Sequence, residues 1–157
     1  MDILLVCLGN ICRSPLAEGI LREKLSKHGI SWNVDSAGTG SWHVGAGPDK
    51  RSIKVAKEFS IDIKNLKARQ FSVADFDRFD LILAMDESNF EFINRKASAG
   101  SRARVAMMLD FLYPGERKSV PDPYYGGDNG FYQIYELLDR ACDALIDELV
   151  REKVHTT

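Results

Sequence analysis

The feature that most constrains this chain lies at its start. An uninterrupted apolar run, Ile3-Leu4-Leu5-Val6, gives way at Cys7 to a short loop and then to Ser14-Pro15. Apolar residues in succession, without polar alternation, suit a strand buried on both faces, the pattern of a parallel sheet covered by helices. The run is four residues long and preceded by an acid, so it is neither a signal peptide nor a membrane span. Ser14 is a good helix N-cap, and proline fits a first helical turn because it has no amide hydrogen to leave unpaired. The segment reads as strand, tight loop and helix N-terminus.

The rest of the chain repeats the strand–helix rhythm. A first strand over residues 2–7 is followed by a helix over about 14–28, with Ala17, Ile20, Leu21 and Leu25 at helical spacing and Gly29 as its stop. A second strand is expected over 32–37 and a second helix over 48–59, built on Ile53 and Ala56 with lysines outward. A buried strand over 80–85, a helix over 88–96 and a strand over 104–109 complete the middle. Near the C-terminus Ile134, Leu137, Leu138, Ala141, Leu145 and Leu149 form one apolar stripe of a helix. The expected fold is α/β: a single domain over residues 1–157, with a parallel sheet flanked by helices on both faces. Such sheets bind ligands at the C-terminal ends of their strands. Two irregular stretches, 38–47 and 113–130, are rich in Gly, Pro and aromatics, and long loops in compact domains usually carry function.

Composition removes several classes. A hydrophobic fraction of 45% with 28% charged residues is that of a globular chain. A net charge of -2 argues against a nucleic-acid binder held by bulk electrostatics. Lys50, Arg51, Lys54 and Lys57 are read as the solvated face of a helix. The three cysteines, Cys7, Cys12 and Cys142, are an odd count and no disulfide framework, so reduced thiols and a cytoplasmic location are the default. With His28, His43 and His155 they show no ligand-pair spacing, and no metal or other cofactor is expected. A nucleotide P-loop of the Gly-x-x-x-x-Gly-Lys-Ser/Thr type is absent from the sequence.

The loop after the first strand carries the chemistry. Cys7 closes the strand and Arg13 follows six positions later, at the helix start. Gly9 and Asn10 tolerate the unusual backbone angles that let successive amide hydrogens point inward and make a nest for an anion. The helix terminus and Arg13 add positive potential, and such surroundings lower a thiol's pKa to roughly 3.5–7.5. Arg13 also offers a planar fork for two phosphoryl oxygens. The expected chemistry is in-line attack of the Cys7 sulfur on a phosphoryl group, with loop amides and Arg13 on the equatorial oxygens. A general acid for the leaving oxygen is then needed. Asp122, held between Pro121 and Pro123, is the best candidate.

Val6-Cys7-Leu8-Gly9-Asn10-Ile11-Cys12-Arg13-Ser14-Pro15, paired with Asp122-Pro123-Tyr124-Tyr125, resembles the low-molecular-weight protein tyrosine phosphatases. The likeness extends to Val34-Asp35-Ser36-Ala37-Gly38, Ala68-Arg69-Gln70 and Met85-Asp86-Glu87-Ser88-Asn89, and covers essentially the whole chain. It implies a four-stranded parallel twisted sheet, with Cys7 as nucleophile, Arg13 as phosphate clamp and Asp122 as acid and then base. It implies that Leu8, Gly9, Asn10, Ile11, Cys12 and Ser14 surround the phosphoryl group. Asn10, Ser14 and Ser36 would hold the loop in shape. Trp42, Tyr124 and Tyr125 would form an aromatic rim that selects phosphotyrosine. Cys12 matches a second cysteine able to form a reversible disulfide with the nucleophile. The implied partners are phosphotyrosine-containing proteins, with no nucleic acid and no membrane span, and the protein itself is a monomer or weak dimer.

Leu66 is the departure. Family members often carry histidine there in support of the loop, so Ser36 is expected to find another partner. Relatives acting on phosphoarginine resemble this loop but carry threonine at the position of Ile11, and a bulky apolar residue there favours phosphotyrosine. Arsenate reductases share the loop but need a further cysteine pair, and Cys142 is the only cysteine outside it. A silent phosphopeptide-binding module is disfavoured because nucleophile, arginine and acid are all present.

Overall fold

The computed structural model of the chain describes residues 1–124 and 127–155. Its centre is strand β1 (Asp2–Cys7), in which Ile3, Leu4, Leu5 and Val6 are completely inaccessible to solvent. Burying each such side chain contributes about 1.5–3 kcal/mol before entropy is charged against it, which is why this run sits mid-sheet. β1 pairs in parallel with β2 (Asn33–Gly38) on one side and β3 (Leu81–Ala84) on the other, and β3 pairs in parallel with β4 (Arg104–Met107). The order β2-β1-β3-β4 makes the four-stranded parallel sheet expected from the sequence.

Alternation along β1 splits the core in two. Ile3, Leu5 and Cys7 face one cluster with helices α1 (Arg13–Lys27), α2 (Lys50–Glu58) and α5 (Gly127–His155). Leu4 and Val6 face another, with Phe76 from the single turn α3 (Asp75–Arg78) and Ile93 from α4 (Glu87–Lys96). Both faces are therefore covered. In this order the chain leaves β1 in opposite directions along the sheet, and the crevice outside the C-terminal end of β1 is where open parallel sheets take their ligands.

Local details depart from the sequence reading in physically readable ways. α1 begins at Arg13, and its N-cap is Cys12 with no side-chain capping bond, so Ser14 is not the cap. Its hydroxyl is instead spent on the loop, as described below. The helix does stop at Gly29, whose φ of 67° lets its N–H reach Ser26 O (3.1 Å) while Ile30 N–H reaches Leu25 O (2.9 Å). In α2 the buried positions are Ser52, Val55 and Ala56, whereas Ile53 is only partly covered. Strand pairing ends at Met107, and the apolar run continues as a 3₁₀ turn (Met108–Phe111) that drops Met108, Leu109 and Phe111 into the core. The stripe on α5 is wider than the spacing indicated, because the helix packs on both α1 and α2 and so also buries Phe131, Tyr135, Cys142 and Ile146. Among the described residues no helix is long and apolar enough to cross a membrane.

Candidate active site

The loop between β1 and α1 is shaped by what its carbonyls do. Cys7 O accepts from Thr39 N–H (2.9 Å), Leu8 O from Gly40 N–H (2.9 Å) and Ile11 O from Asp49 N–H (2.8 Å). Cys12 O accepts from the Ser52 hydroxyl (3.2 Å). All four carbonyls are thus turned outward. In a trans peptide the N–H points opposite to its C=O, so the amides of Leu8, Gly9, Cys12 and Arg13 are left facing inward. This is an anion nest on the N-terminus of α1. Asn10 makes the turn in the left-handed region, at φ 57°.

Gly38, at the end of β2, lies directly beneath. A Cβ built there would stand 2.8 Å from Leu8 O and 3.1 Å from Asn10 N, so only glycine lets the loop come so close. Sequence reasoning did not single it out as a site residue, although a glycine closing a strand beside an irregular stretch is the signal for it.

Cys7 is buried at the floor. Its sulfur lies 2.9 Å from Ser14 Oγ and accepts the Asn10 backbone N–H at 3.3 Å. Asn10 Nδ2 donates to both Ser14 Oγ (2.8 Å) and Ser36 Oγ (3.0 Å). The partner that Ser36 needs in the absence of a histidine at position 66 is Glu18, whose Oε1 accepts the Ser36 hydroxyl at 2.6 Å. Leu66 packs against the core.

Arg13 is buried with its charge, and three acceptors surround it. Nη1 donates to Asp86 Oδ2 (2.6 Å) and to Val120 O (3.0 Å), and Nη2 stands 3.6 Å from Asp122 Oδ2. In the sequence Asp86 stands out only as part of the segment Met85 to Asn89. Its N-cap role on α4 is legible, but its second oxygen reaching Arg13 is a tertiary fact. Val120 N–H in turn bonds Met85 O (2.7 Å), so the segment leading to Asp122 is pinned to the end of β3. Asp122 itself is 44% exposed, and its Oδ1 accepts Tyr124 N–H at 3.0 Å.

These groups frame a cavity of about 220 Å³ lined by Cys7, Leu8, Gly9, Ile11, Cys12, Arg13, Asp122, Trp42 and Tyr124. The structure therefore brings together the loop, the arginine, the acid and two of the three aromatics named from sequence. Asn10, Ser14 and Ser36 stand behind the wall, and Tyr125 lies outside the described residues. Trp42 is 73% exposed at the rim, with its ring lying against Gly40, where a Cβ would collide with it. His43 also lines the mouth and carried no sequence signal.

Arg51, read as part of a solvated helix face, is a correction. Its guanidinium pairs with Asp49 through Nε and Nη2 (both 3.0 Å) and lies over Tyr124 (5.6 Å) and Phe131 (4.6 Å). Lys50, Lys54 and Lys57 are exposed. Although burial opposes it, Arg51 holds the Asp49 carboxyl below the usual carboxylate range. Burial, and then the negative charges of Asp49, Cys7 and Asp122, push the Cys12 thiol up to about 12. Burial likewise pushes Cys142 up. Among the described residues no group of three His, Cys, Asp or Glu side chains could hold a metal ion.

Relatives share the fold and a large part of the sequence. A low molecular weight phosphotyrosine protein phosphatase from Schizosaccharomyces pombe is 48% identical over 143 residues, 88% of this chain and 91% of that protein. The crystal structure of a protein tyrosine phosphatase from Entamoeba histolytica superposes with a TM-score of 0.91 at 37% identity, over 98% of this chain and 99% of that one. The crystal structure of a drosophila arginine phosphatase superposes with a TM-score of 0.90 at 32% identity, covering 95% and 98%. The family model described as low molecular weight phosphotyrosine protein phosphatase matches residues 2–155. With match and geometry agreeing from β1 to α5, the chain belongs to the low molecular weight phosphotyrosine protein phosphatase family.

Proposed function

We propose that the protein hydrolyses phosphotyrosine in proteins, and small aryl phosphates, through a phosphocysteine on Cys7. The observation that carries this reading is the convergence on one sulfur: the Ser14 hydroxyl and the Asn10 amide meet Cys7 Sγ at the floor of a nest whose other side holds Arg13 and Asp122. Both contacts hold the sulfur at the floor of the nest, aimed at an incoming phosphoryl group. The inward amides of Leu8, Gly9, Cys12 and Arg13, with the Arg13 guanidinium, hold the three equatorial oxygens as charge builds on them. An S–P bond forms as the P–O bond to the tyrosyl oxygen breaks, and Asp122 gives its proton to that oxygen. Asp122 then takes a proton from water, which attacks phosphorus, releases inorganic phosphate and returns the thiolate.

The reading of phosphotyrosine as substrate is supported by Trp42 and Tyr124, which both line the cavity and offer apolar faces to a flat ring. Aryl phosphate hydrolysis by the wild type, Cys7→Ser and Asp122→Ala tests the assignment. Cys7→Ser abolishes turnover, and Asp122→Ala loses about 10²–10⁴-fold in kcat, the worth of a general acid. Unchanged turnover in Cys7→Ser overturns the mechanism.

A phosphoarginine reading is favoured by one neighbour, the drosophila arginine phosphatase. Against it, Ile11 presents an apolar side chain to the cavity. Ile11→Thr is expected to raise phosphoarginine hydrolysis, and equal activity in both forms removes that argument. An arsenate relay would need an accessible further thiol, and Cys142 is completely buried in α5. Cys12 lines the same cavity as Cys7, which supports reading it as a redox guard for the sulfur. Peroxide would oxidise Cys7 to a sulfenic acid, and the Cys12 thiol would displace water to give a disulfide that thiols reduce. Recovery after peroxide is expected to slow or fail in Cys12→Ser.

A further inference from the structure

Glu18 is a buried carboxylate that the reaction above does not use. It lies on α1, 2% exposed, with Arg22 Nη2 at 2.8 Å from Oε2 and the Ser36 hydroxyl at 2.6 Å from Oε1. Burial pushes its carboxyl up, while Ser36 and Arg22 pull the other way.

We propose that Glu18 is a positioning residue for the reacting sulfur: by accepting the Ser36 proton it sets the direction of a buried relay through Asn10 and Ser14 that ends on Cys7 Sγ. The proposal rests on the reading of Cys7 as nucleophile.

The direction follows from counting hydrogens. Asn10 Oδ1 accepts the backbone N–H of Arg69 at 3.0 Å, and a backbone amide can only donate. The Asn10 amide is thereby oriented with both Nδ2 hydrogens spent, one on Ser14 Oγ and one on Ser36 Oγ. Each serine already accepts, so its single proton must go elsewhere. Ser14 sends its proton to Cys7 Sγ. Ser36 sends its proton to Glu18, and Leu66, an apolar side chain, can offer no acceptor in its place. Remove the Glu18 acceptor and a buried hydroxyl proton is stranded beside an amide that can only donate to it. The strain is relieved by moving Ser36 or turning Asn10, and either weakens the bond that aims Ser14 at sulfur. Asn10 is also the left-handed corner of the loop, so its loosening loosens the nest.

The test compares Glu18→Leu, Glu18→Gln, Ser36→Ala and the Ser36→Ala/Glu18→Leu pair. The readouts are kcat and KM on an aryl phosphate, and the rate of Cys7 alkylation by iodoacetate at pH 6. Glu18→Leu should lower kcat about tenfold, as misplacement of a reacting group does, with KM changed by less than about twofold. It should also slow alkylation. Glu18→Gln still offers a carbonyl oxygen to Ser36 and should keep most of both. In the Ser36→Ala background, Glu18→Leu should add no further loss in either.

Wild-type kcat and alkylation in Glu18→Leu overturn the proposal. So does an equal loss in Glu18→Gln, which would assign the effect to the Arg22 ion pair, or an undiminished loss in the Ser36→Ala background. Should Glu18→Leu fail to fold, the other two singles decide: Ser36→Ala must slow alkylation and Glu18→Gln must not. Cys7→Ser, assayed alongside, reports separately on the nucleophile. If it turns over normally, that reading fails, whatever the Glu18 variants do.

Discussion

The carboxylate of Asp86 divides its oxygens between two tasks: Oδ2 stands 2.6 Å from Arg13 Nη1, while Oδ1 accepts Asn89 N–H at 2.7 Å and caps α4. One residue thus couples Arg13, the proposed phosphate clamp, to the start of a helix on the opposite face of the sheet. The Asn89 side chain completes the capping box by accepting Asp86 N–H.

Because the tasks use different oxygens, they are separable. Asp86→Asn keeps a good cap and removes the charge beside Arg13. It should lower kcat/KM on an aryl phosphate about 10-fold or more, since a charged hydrogen bond is worth about 1.5–3 kcal/mol, with little change in melting temperature. Asp86→Ala should show the same kinetic loss and also lose about 1 kcal/mol of stability with the cap. Kinetics and thermal melts on the two variants check this, and equal stability in both would refute the division.

Gly38→Ala should damage the site from beneath. The added Cβ meets backbone atoms of the loop, Leu8 O and Asn10 N, which cannot swing aside as a side-chain tip could. Overpacking of this kind costs about 1–3 kcal/mol. The expected outcome is a lower melting temperature together with weaker inhibition by inorganic phosphate. A variant with wild-type phosphate affinity would show that the loop tolerates the displacement.

Alkylation should be selective. With its pKa pushed up to about 12, Cys12 is a protonated thiol at neutral pH, and buried Cys142 is pushed up as well. One equivalent of iodoacetamide at pH 7 should therefore label Cys7, read by mass spectrometry of the digested protein, and Cys7→Ser should stay unlabelled over the same time. Label on Cys12 at a comparable rate would contradict the assignment.

Glu18 should leave a mark on stability against pH. Burial raises its folded-state value above the ordinary 4.5. Between the two values the native chain holds a proton that the unfolded chain releases. This contribution to stability is full below about 4.5 and is lost as pH rises through the raised folded value. Gln does not titrate, so wild type minus Glu18→Gln in melting temperature should fall as pH is taken from 4 to 7. A difference that stays constant with pH would remove the titration of Glu18 from the account.

The fold was legible because its signals are local. The run Ile3 to Val6, closed by a loop, reads as a doubly buried strand, and the apolar runs and helical spacings behind it place the remaining elements within a residue or two. What failed was short or doubly used. The single turn Asp75–Arg78 is too brief to show a period. Ser14 carries the chemistry of an N-cap yet spends its hydroxyl on Asn10 and Cys7, because a helix start beside an anion nest has other claims on it. Arg51 matched a solvated lysine-rich face, but the rings of Tyr124 and Phe131 that draw it aside come from residues more than seventy positions away.

The sequence by itself determined the strand–loop–helix that makes the nest, since apolar succession, Asn10 and the Ser14-Pro15 start act over a dozen residues, and the motif pairing of Cys7, Arg13 and Asp122 pointed to the family. Only the tertiary structure decided what surrounds those groups. Asp86 on Arg13, Glu18 on Ser36, Gly38 beneath Leu8 and Val120 anchoring the Asp122 segment are meetings of residues from different elements of the fold. Nothing in the local pattern of a carboxylate or a glycine says which partner lies across a parallel sheet. That is settled by the order β2-β1-β3-β4 and its register, which set Cys7 beside Gly38 and Val6 beside Ala84.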